Sequence, residues 1–119
     1  GLQVDAITTE QSGYEAAQAL LRGGERFDAV FAASDLIAIG ALKALREHGL
    51  RVPEDVALAG FDDIPVAACV APALSTVQQD TKLAGAVLVD TLLAQIAGQP
   101  VASRTLPVTL ALRGSSQRG

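Results

Sequence analysis

Residues 27–63 read FDAVFAASDLIAIGALKALREHGLRVPEDVALAGFDD, an apolar run, an amphipathic run and a second apolar run whose order decides the fold. Residues 27–33 are short and apolar without a helical period, as suits a strand buried on both faces. Residues 35–48 follow as a helix. Ser34 or Asp35 serves as its N-cap, Lys43 and Arg46 sit toward its negative end, and Gly49 closes it. Residues 56–60 form a second strand ending in Phe61-Asp62-Asp63, and Pro53 in the preceding turn bars a longer helix. A strand, helix and strand in this order cross over right-handed, so the two strands run parallel and their carboxyl ends open at one edge. The chain therefore reads as α/β, built of Rossmann-like βαβ layers on a parallel sheet. Ligands of open α/β sheets bind at that edge, and Ser34, Asp35, Asp62 and Asp63 all fall there. Ionised carboxylates offer only acceptors, which suits the neighbouring hydroxyls of a sugar or nucleoside. The same four residues also suit helix caps and a turn.

The whole chain of 119 residues, half of them hydrophobic, is the length of one domain with a real core. A net charge of -4 argues against phosphate binding by these residues alone, since nucleic-acid affinity needs a basic stripe. The single cysteine, Cys69, excludes an internal disulfide and suits a reducing compartment. Nothing resembles a signal peptide, and the apolar stretch 83–97 is broken by Asp90 and Gln95, so no membrane span is expected. No nucleophile stands with a base, no metal-ligand spacing occurs and no glycine-rich phosphate loop is present, so neither catalysis nor a cofactor or metal is expected.

Residues 2–7 read as a first strand. Thr8 and Gln11 have capping-box spacing, after which Gly13, Ala17, Leu20 and Leu21 form one helical stripe that Gly23-Gly24 ends. Tyr14 reads as a packing residue of this helix. In the helix 35–48, Ile37, Ala38, Ala41, Ala44 and Leu45 should lie on the sheet, while Lys43, Arg46 and Glu47 mark the opposite face together with Leu36 and Ile39. His48 reads as a cap or packing residue. The apolar loop 65–71, PVAACVA, forms either a contact surface with that face or an internal strand or buried turn. Residues 74–78 read as extended, and Asp80 starts a helix that runs to Ala97 and stops at Gly98 and Pro100. Gly85, Val89, Leu92, Leu93 and Ile96 make its main apolar face. Residues 105–113, TLPVTLALR, form a last strand, followed by a flexible GSSQRG tail.

The run SDLIAIGALKALREHGLRVPEDVALAGFDD at 34–63 has SGYEAAQALL at 12–21 before it, and PALSTVQQD at 72–80, Gly85 and LPVTLALRGSS at 106–116 after it. Together these resemble the LacI/GalR family of bacterial transcription regulators, over nearly the whole chain. The resemblance implies the C-terminal subdomain of a periplasmic-binding-protein-like type I fold, incomplete here. Residues 1–78 would be that effector-binding subdomain, 79–104 a crossing segment and helix of the N-terminal subdomain, and 105–119 the returning strand and tail. It implies an effector, a sugar by family expectation, bound by Asp62, Ser34, Asp35, Thr8 and Gln79. Thr8 stands where the family often has a stacking aromatic and serves equally as a helix cap; Gln79 lies where the hinge meets the pocket and reads equally as a solvated hinge residue. It also implies a homodimer through Leu36, Ile39, Lys43, Pro65, Cys69 and Val70, a cytoplasmic location, and operator DNA bound only through a helix-turn-helix headpiece. The alternative is a periplasmic sugar-binding protein of a transporter, which shares the fold; RVPEDVALAGFDD, LPVTLALRGSS and the apolar helix face resemble regulators more. The resemblance further leads us to expect that the helix 83–97 lacks the sheet it should cover, so that the isolated chain associates and binds ligand weakly.

Overall fold

The computed structural model describes residues 9–100 and 108–117. Its elements are α1 (Glu10–Arg22), β1 (Ala29–Phe31), α2 (Asp35–Glu47), β2 (Ala57–Phe61), a 3-10 turn (Pro65–Ala68), β3 (Ser75–Gln79), α3 (Thr81–Ile96) and β4 (Val108–Ala111). The strands form one sheet in the order β1-β2-β3-β4, with β1, β2 and β3 parallel and β4 antiparallel to β3. The expected strand at residues 2–7 lies outside the described residues.

The βαβ unit forms as its sequence dictates. Ser34 is the N-cap of α2, its Oγ accepting from Ile37 N, and Asp35 is the first helical residue. At the other end Gly49 has φ +75°, the Gly49 amide donates to Arg46 O and the Leu50 amide to Leu45 O. That pair of bonds is a Schellman motif, which satisfies two carbonyls the helix itself leaves open. His48 caps the same end, with Nδ1 2.9 Å from Ala44 O.

Strand β1 is shorter than expected and is not buried on both faces. Among the described residues it pairs only with β2, and Val30 packs on the core while Ala29 is exposed and Phe31 is 65% exposed on the other face. Alternation across the pleat puts Val30 toward α2 and its two neighbours away from it. The core lies between α2 and the sheet and is made largely of alanine and leucine, including Ala38, Ala41, Leu42, Leu58 and Leu74.

The buried face of α2 is wider than the stripe read from the sequence, since Gly40 and Leu42 are buried as well. The cause is α1, which crosses α2 at backbone contact through two glycines. A Cβ on Gly40 would collide with the Glu10 carbonyl and lie 2.7 Å from Tyr14 N; one on Gly13 would lie 2.7 Å from Ile37 Cα. Tyr14 fastens the same crossing: its hydroxyl donates to Glu47, accepts from Gln18 Nε2 at 2.8 Å, and its ring lies 5.2 Å below Lys43 Nζ. Gly40→Ala must push the helices apart, and overpacking of this kind costs about 1–3 kcal/mol. We expect it to lower the urea midpoint of unfolding. Gly85→Ala, in α3 with nothing within 4 Å of the added carbon, should instead raise it through helix propensity, by about 1 kcal/mol.

The capping threonine of α1 is Thr9, one residue later than expected. Ser12 N donates to Thr9 Oγ1 at 3.0 Å and Thr9 N to Ser12 Oγ at 3.3 Å, so serine returns the bond assigned to Gln11. Helix α3 starts at the expected cap, with Asp80 Oδ1 accepting from Leu83 N at 3.0 Å, and ends before Gly98 at φ +71°. Its large apolar side chains are exposed, from Leu83 at 40% to Ile96 at 83%. No described helix is long and apolar enough to cross a membrane.

The segment after β4 is not a flexible tail over residues 114–116. Ser115 is fully buried as a wedge between β2 and β3: its Oγ donates to Leu58 O and accepts from Ser75 N, its amide donates to Ala73 O, and its carbonyl accepts from Leu58 N. Small hydroxyl residues do this because they can satisfy strand backbone where two strands splay.

Candidate binding edge at the strand carboxyl ends

The parallel pairing of β1 with β2 and of β2 with β3 brings three strand ends to one edge. Residues 32–35 follow β1 there, Asp62 and Asp63 follow β2, and Gln78 and Gln79 end β3. The four residues singled out after β1 and β2 do not act alike.

Asp35 is 1% exposed and both of its carboxylate oxygens are engaged. Oδ2 accepts from Ile64 N at 2.8 Å and Oδ1 from the Thr76 hydroxyl at 2.7 Å. Its position in the first turn of α2 adds the favourable field of the helix amino end. Gly60 is what lets it approach the sheet, since a Cβ there would collide with the Asp35 carboxylate and lie 3.1 Å from its Cα. Ser34 is 7% exposed and spends its hydroxyl on the helix cap. These two residues build the edge and do not face out from it.

Asp62 and Asp63 share an unusual backbone but differ in their side chains. Both have positive φ, 102° and 54°, a region costly for any residue with a Cβ, by about 1–3 kcal/mol each when held in sparsely populated angles. Three consecutive amides hold the turn. Asp62 N donates to Val77 O at 2.9 Å, Asp63 N to Thr76 Oγ1 at 3.2 Å, and Ile64 N to Asp35. Asp62 is exposed and its carboxylate has no partner among the described residues. Gln79 is also exposed, with its backbone paired to Val108. Thr8 lies outside the described residues.

Sequence reasoning missed the partner of Asp63. Its Oδ1 accepts from Arg113 Nη1 at 2.8 Å, with the two side chains 19% and 22% exposed, and its Oδ2 accepts from Gln78 Nε2. The Arg113 guanidinium first, and the Gln78 amide second, hold the Asp63 carboxyl below the usual carboxylate range. A depressed folded-state value contributes stability that is present above the ordinary value near pH 4 and is lost as pH falls through the folded value. Asp63→Asn should therefore flatten the decline of the urea midpoint between about pH 5 and pH 3, which paired titrations of the two proteins would show.

The expected contact surface is split between open and packed residues. Leu36 is 39% exposed, Lys43, Pro65 and Cys69 are exposed, and Ile39 and Val70 are half-buried against the core. The loop 65–71 is neither a strand nor a buried turn throughout: Pro65–Ala68 is a 3-10 turn with only Ala67 buried, while Val66 is 41% exposed. No group of three or more His, Cys, Asp or Glu among the described residues is placed to hold a metal ion.

The mostly parallel α/β layer, with Asp62 exposed at the carboxyl edge of its strands, has the architecture of the periplasmic-binding-protein type. The family model described as a periplasmic binding protein-like domain matches residues 2–116. The chain is 39% identical over 109 residues to the lactose operon repressor of Rhizobium radiobacter, covering 91% of this chain and 96% of that relative. It is 44% identical over 104 residues to the HTH-type transcriptional regulator CelR of Thermobifida fusca, covering 87% of this chain and 29% of CelR. A solved lac repressor dimer bound to operator and the anti-inducer ONPF superposes with a TM-score of 0.84 at 35% identity, over 95% of this chain and 40% of that one. The chain belongs to the LacI/GalR family of transcription regulators, within the periplasmic binding protein-like class. It spans less than a third of CelR and under half of the solved repressor.

Proposed function

We propose that these residues are the effector-sensing and dimerisation part of a LacI/GalR-type regulator, in which a bound sugar changes the affinity of a separate DNA-binding headpiece for its operator. The single observation that carries this is Asp62: an exposed carboxylate without a partner among the described residues, kept in a costly conformation at the strand edge by hydrogen bonds from three successive amides. Such a group accepts hydrogen bonds from two adjacent hydroxyls. Asp62 and Gln79 make the direct contacts in this reading, Thr8 is a third contact on the strength of the family resemblance alone, and Ser34 and Asp35 keep the edge in shape. Residues 1–78 form the effector-binding subdomain, 79–104 the crossing and a helix of the other subdomain, and 105–119 the return. The exposed apolar side chains of α3 support that division, because a helix apolar on all sides belongs inside a larger protein. Leu36, Ile39, Lys43, Pro65, Cys69 and Val70 form the dimer contact, and the protein works in the cytoplasm without chemistry on the effector.

Relatives named as repressors and regulators favour this over a transport receptor. The mechanism is a population shift: the sugar favours one arrangement of two subdomains and so one spacing of the two headpieces across the dimer. Electrophoretic mobility shift of the complete protein on its upstream DNA, with and without a panel of pentoses, hexoses and disaccharides, tests it. One sugar should change operator affinity; no DNA binding in any condition would refute the reading.

A further inference from the structure

We propose that Arg113 is a positioning residue for the binding edge: acting through Asp63, it holds the end of β2 in the turn that presents Asp62. The inference rests on the sensing role given to Asp62 above and adds what fixes that carboxylate in place.

The Asp62 side chain makes no polar bond to another described side chain, so the place from which it projects depends on the backbone that carries it. That backbone runs through two successive left-handed residues, which relax unless their surroundings over-determine them. The amide bonds hold one side of the turn. The other side is the Asp63 carboxylate, where Arg113 and Gln78 converge.

Arg113 is built for this task from its root outward. Its amide donates to Ser75 Oγ at 2.8 Å and its carbonyl accepts from the same hydroxyl at 3.0 Å. Two residues on, Ser115 is wedged between β2 and β3. The guanidinium therefore projects from a fixed backbone, and a single nitrogen, Nη1, donates both to Asp63 Oδ1 and to Leu74 O at 2.9 Å. The position is 50 residues from Asp63 in the chain and lies two residues beyond the end of β4, the strand that returns beside β3. A displacement of β4 along β3 would thus reach the turn of Asp62 without any contact to the ligand. Because one nitrogen serves both acceptors, a lysine ammonium with three donors can replace it, whereas a glutamine cannot supply the charge.

Amide hydrogen exchange of the complete protein without ligand, read by NMR for Asp62, Asp63 and Ile64 with Leu45 in α2 as internal reference, tests the proposal on Arg113→Gln, Arg113→Lys, Asp63→Asn and the Gln/Asn double variant. We expect exchange at Asp63 and Ile64 to rise about tenfold relative to Leu45 in each of R113Q and D63N, as loss of one charge-assisted bond implies. The double variant should be no faster than the worse single one, and R113K should stay close to the parent. Unchanged amides in R113Q, an equal rise at Leu45, or R113K behaving as R113Q would each overturn the proposal. Should R113Q not fold, fast exchange in D63N beside parent-like R113K supports it, and parent-like exchange in both overturns it. No ligand is present, so a failure of sugar binding bears on the sensing role alone and leaves this result standing.

Discussion

Replacing Asp62 by asparagine is expected to weaken effector binding to the complete regulator by about 100-fold while leaving its melting temperature without ligand unchanged. The ionised carboxylate offers acceptors on both oxygens, whereas the amide of the same shape offers one acceptor and turns two N–H donors toward hydroxyls that need acceptors. Hydrogen bonds to a charged group contribute about 1.5–3 kcal/mol each, and 2.7 kcal/mol is about two decades of affinity. Nothing inside the described residues depends on that carboxylate, so its loss should move unfolding by no more than about 0.5 kcal/mol. Calorimetric titration with the sugar that raises the melting temperature of the parent measures the first quantity, and the melting curve without sugar the second.

Asp35→Ala should have the reverse signature: a large loss of stability. The substitution strips two charge-assisted bonds from a site that is 1% exposed, leaving the Ile64 amide and the Thr76 hydroxyl without their acceptor. At about 1.5–3 kcal/mol for each bond the loss is about 4 kcal/mol, against a total of about 5–15 kcal/mol for a domain. Asp35→Asn is no remedy, because its amide nitrogen would meet one of two donors. Urea unfolding curves of the two variants beside D62N would separate the frame residue from the exposed one. If D35A unfolded like the parent, the buried network around Thr76 would not be what holds the edge together.

Asp35 and Asp62 thus differ in their surroundings, and the sequence explains part of that difference. The βαβ order, Ser34 as a cap and Gly49 as a stop were all legible in residues 27–63, since each depends on neighbours a few positions away. The partner of Asp35 is Thr76, 41 residues on, and the partner of Asp63 is Arg113, 50 residues on; no local pattern reports either. The width of the buried face of α2 was hidden for another reason. Hydropathy periodicity registers side chains, while the α1 contact is made by the absence of side chains at Gly13 and Gly40. The shift of the α1 cap from Thr8 to Thr9 reflects two threonines in a row, each with an acceptable partner three residues later. The GSSQRG composition predicts a flexible tail, yet Ser115 is held by Ala73 and Ser75 on one side and Leu58 on the other. Polar, small residues look the same in sequence whether they are solvated or satisfy a buried strand.

The assignment of Asp62 as the effector-facing group is tested most directly by a crystal structure of the complete protein with the sugar identified by melting-temperature shift. Two sugar hydroxyls are expected at about 2.7 Å from the Asp62 carboxylate, with Asp35 still bonded to Ile64 and Thr76. A sugar bound elsewhere, with the Asp62 carboxylate left in solvent, would contradict it.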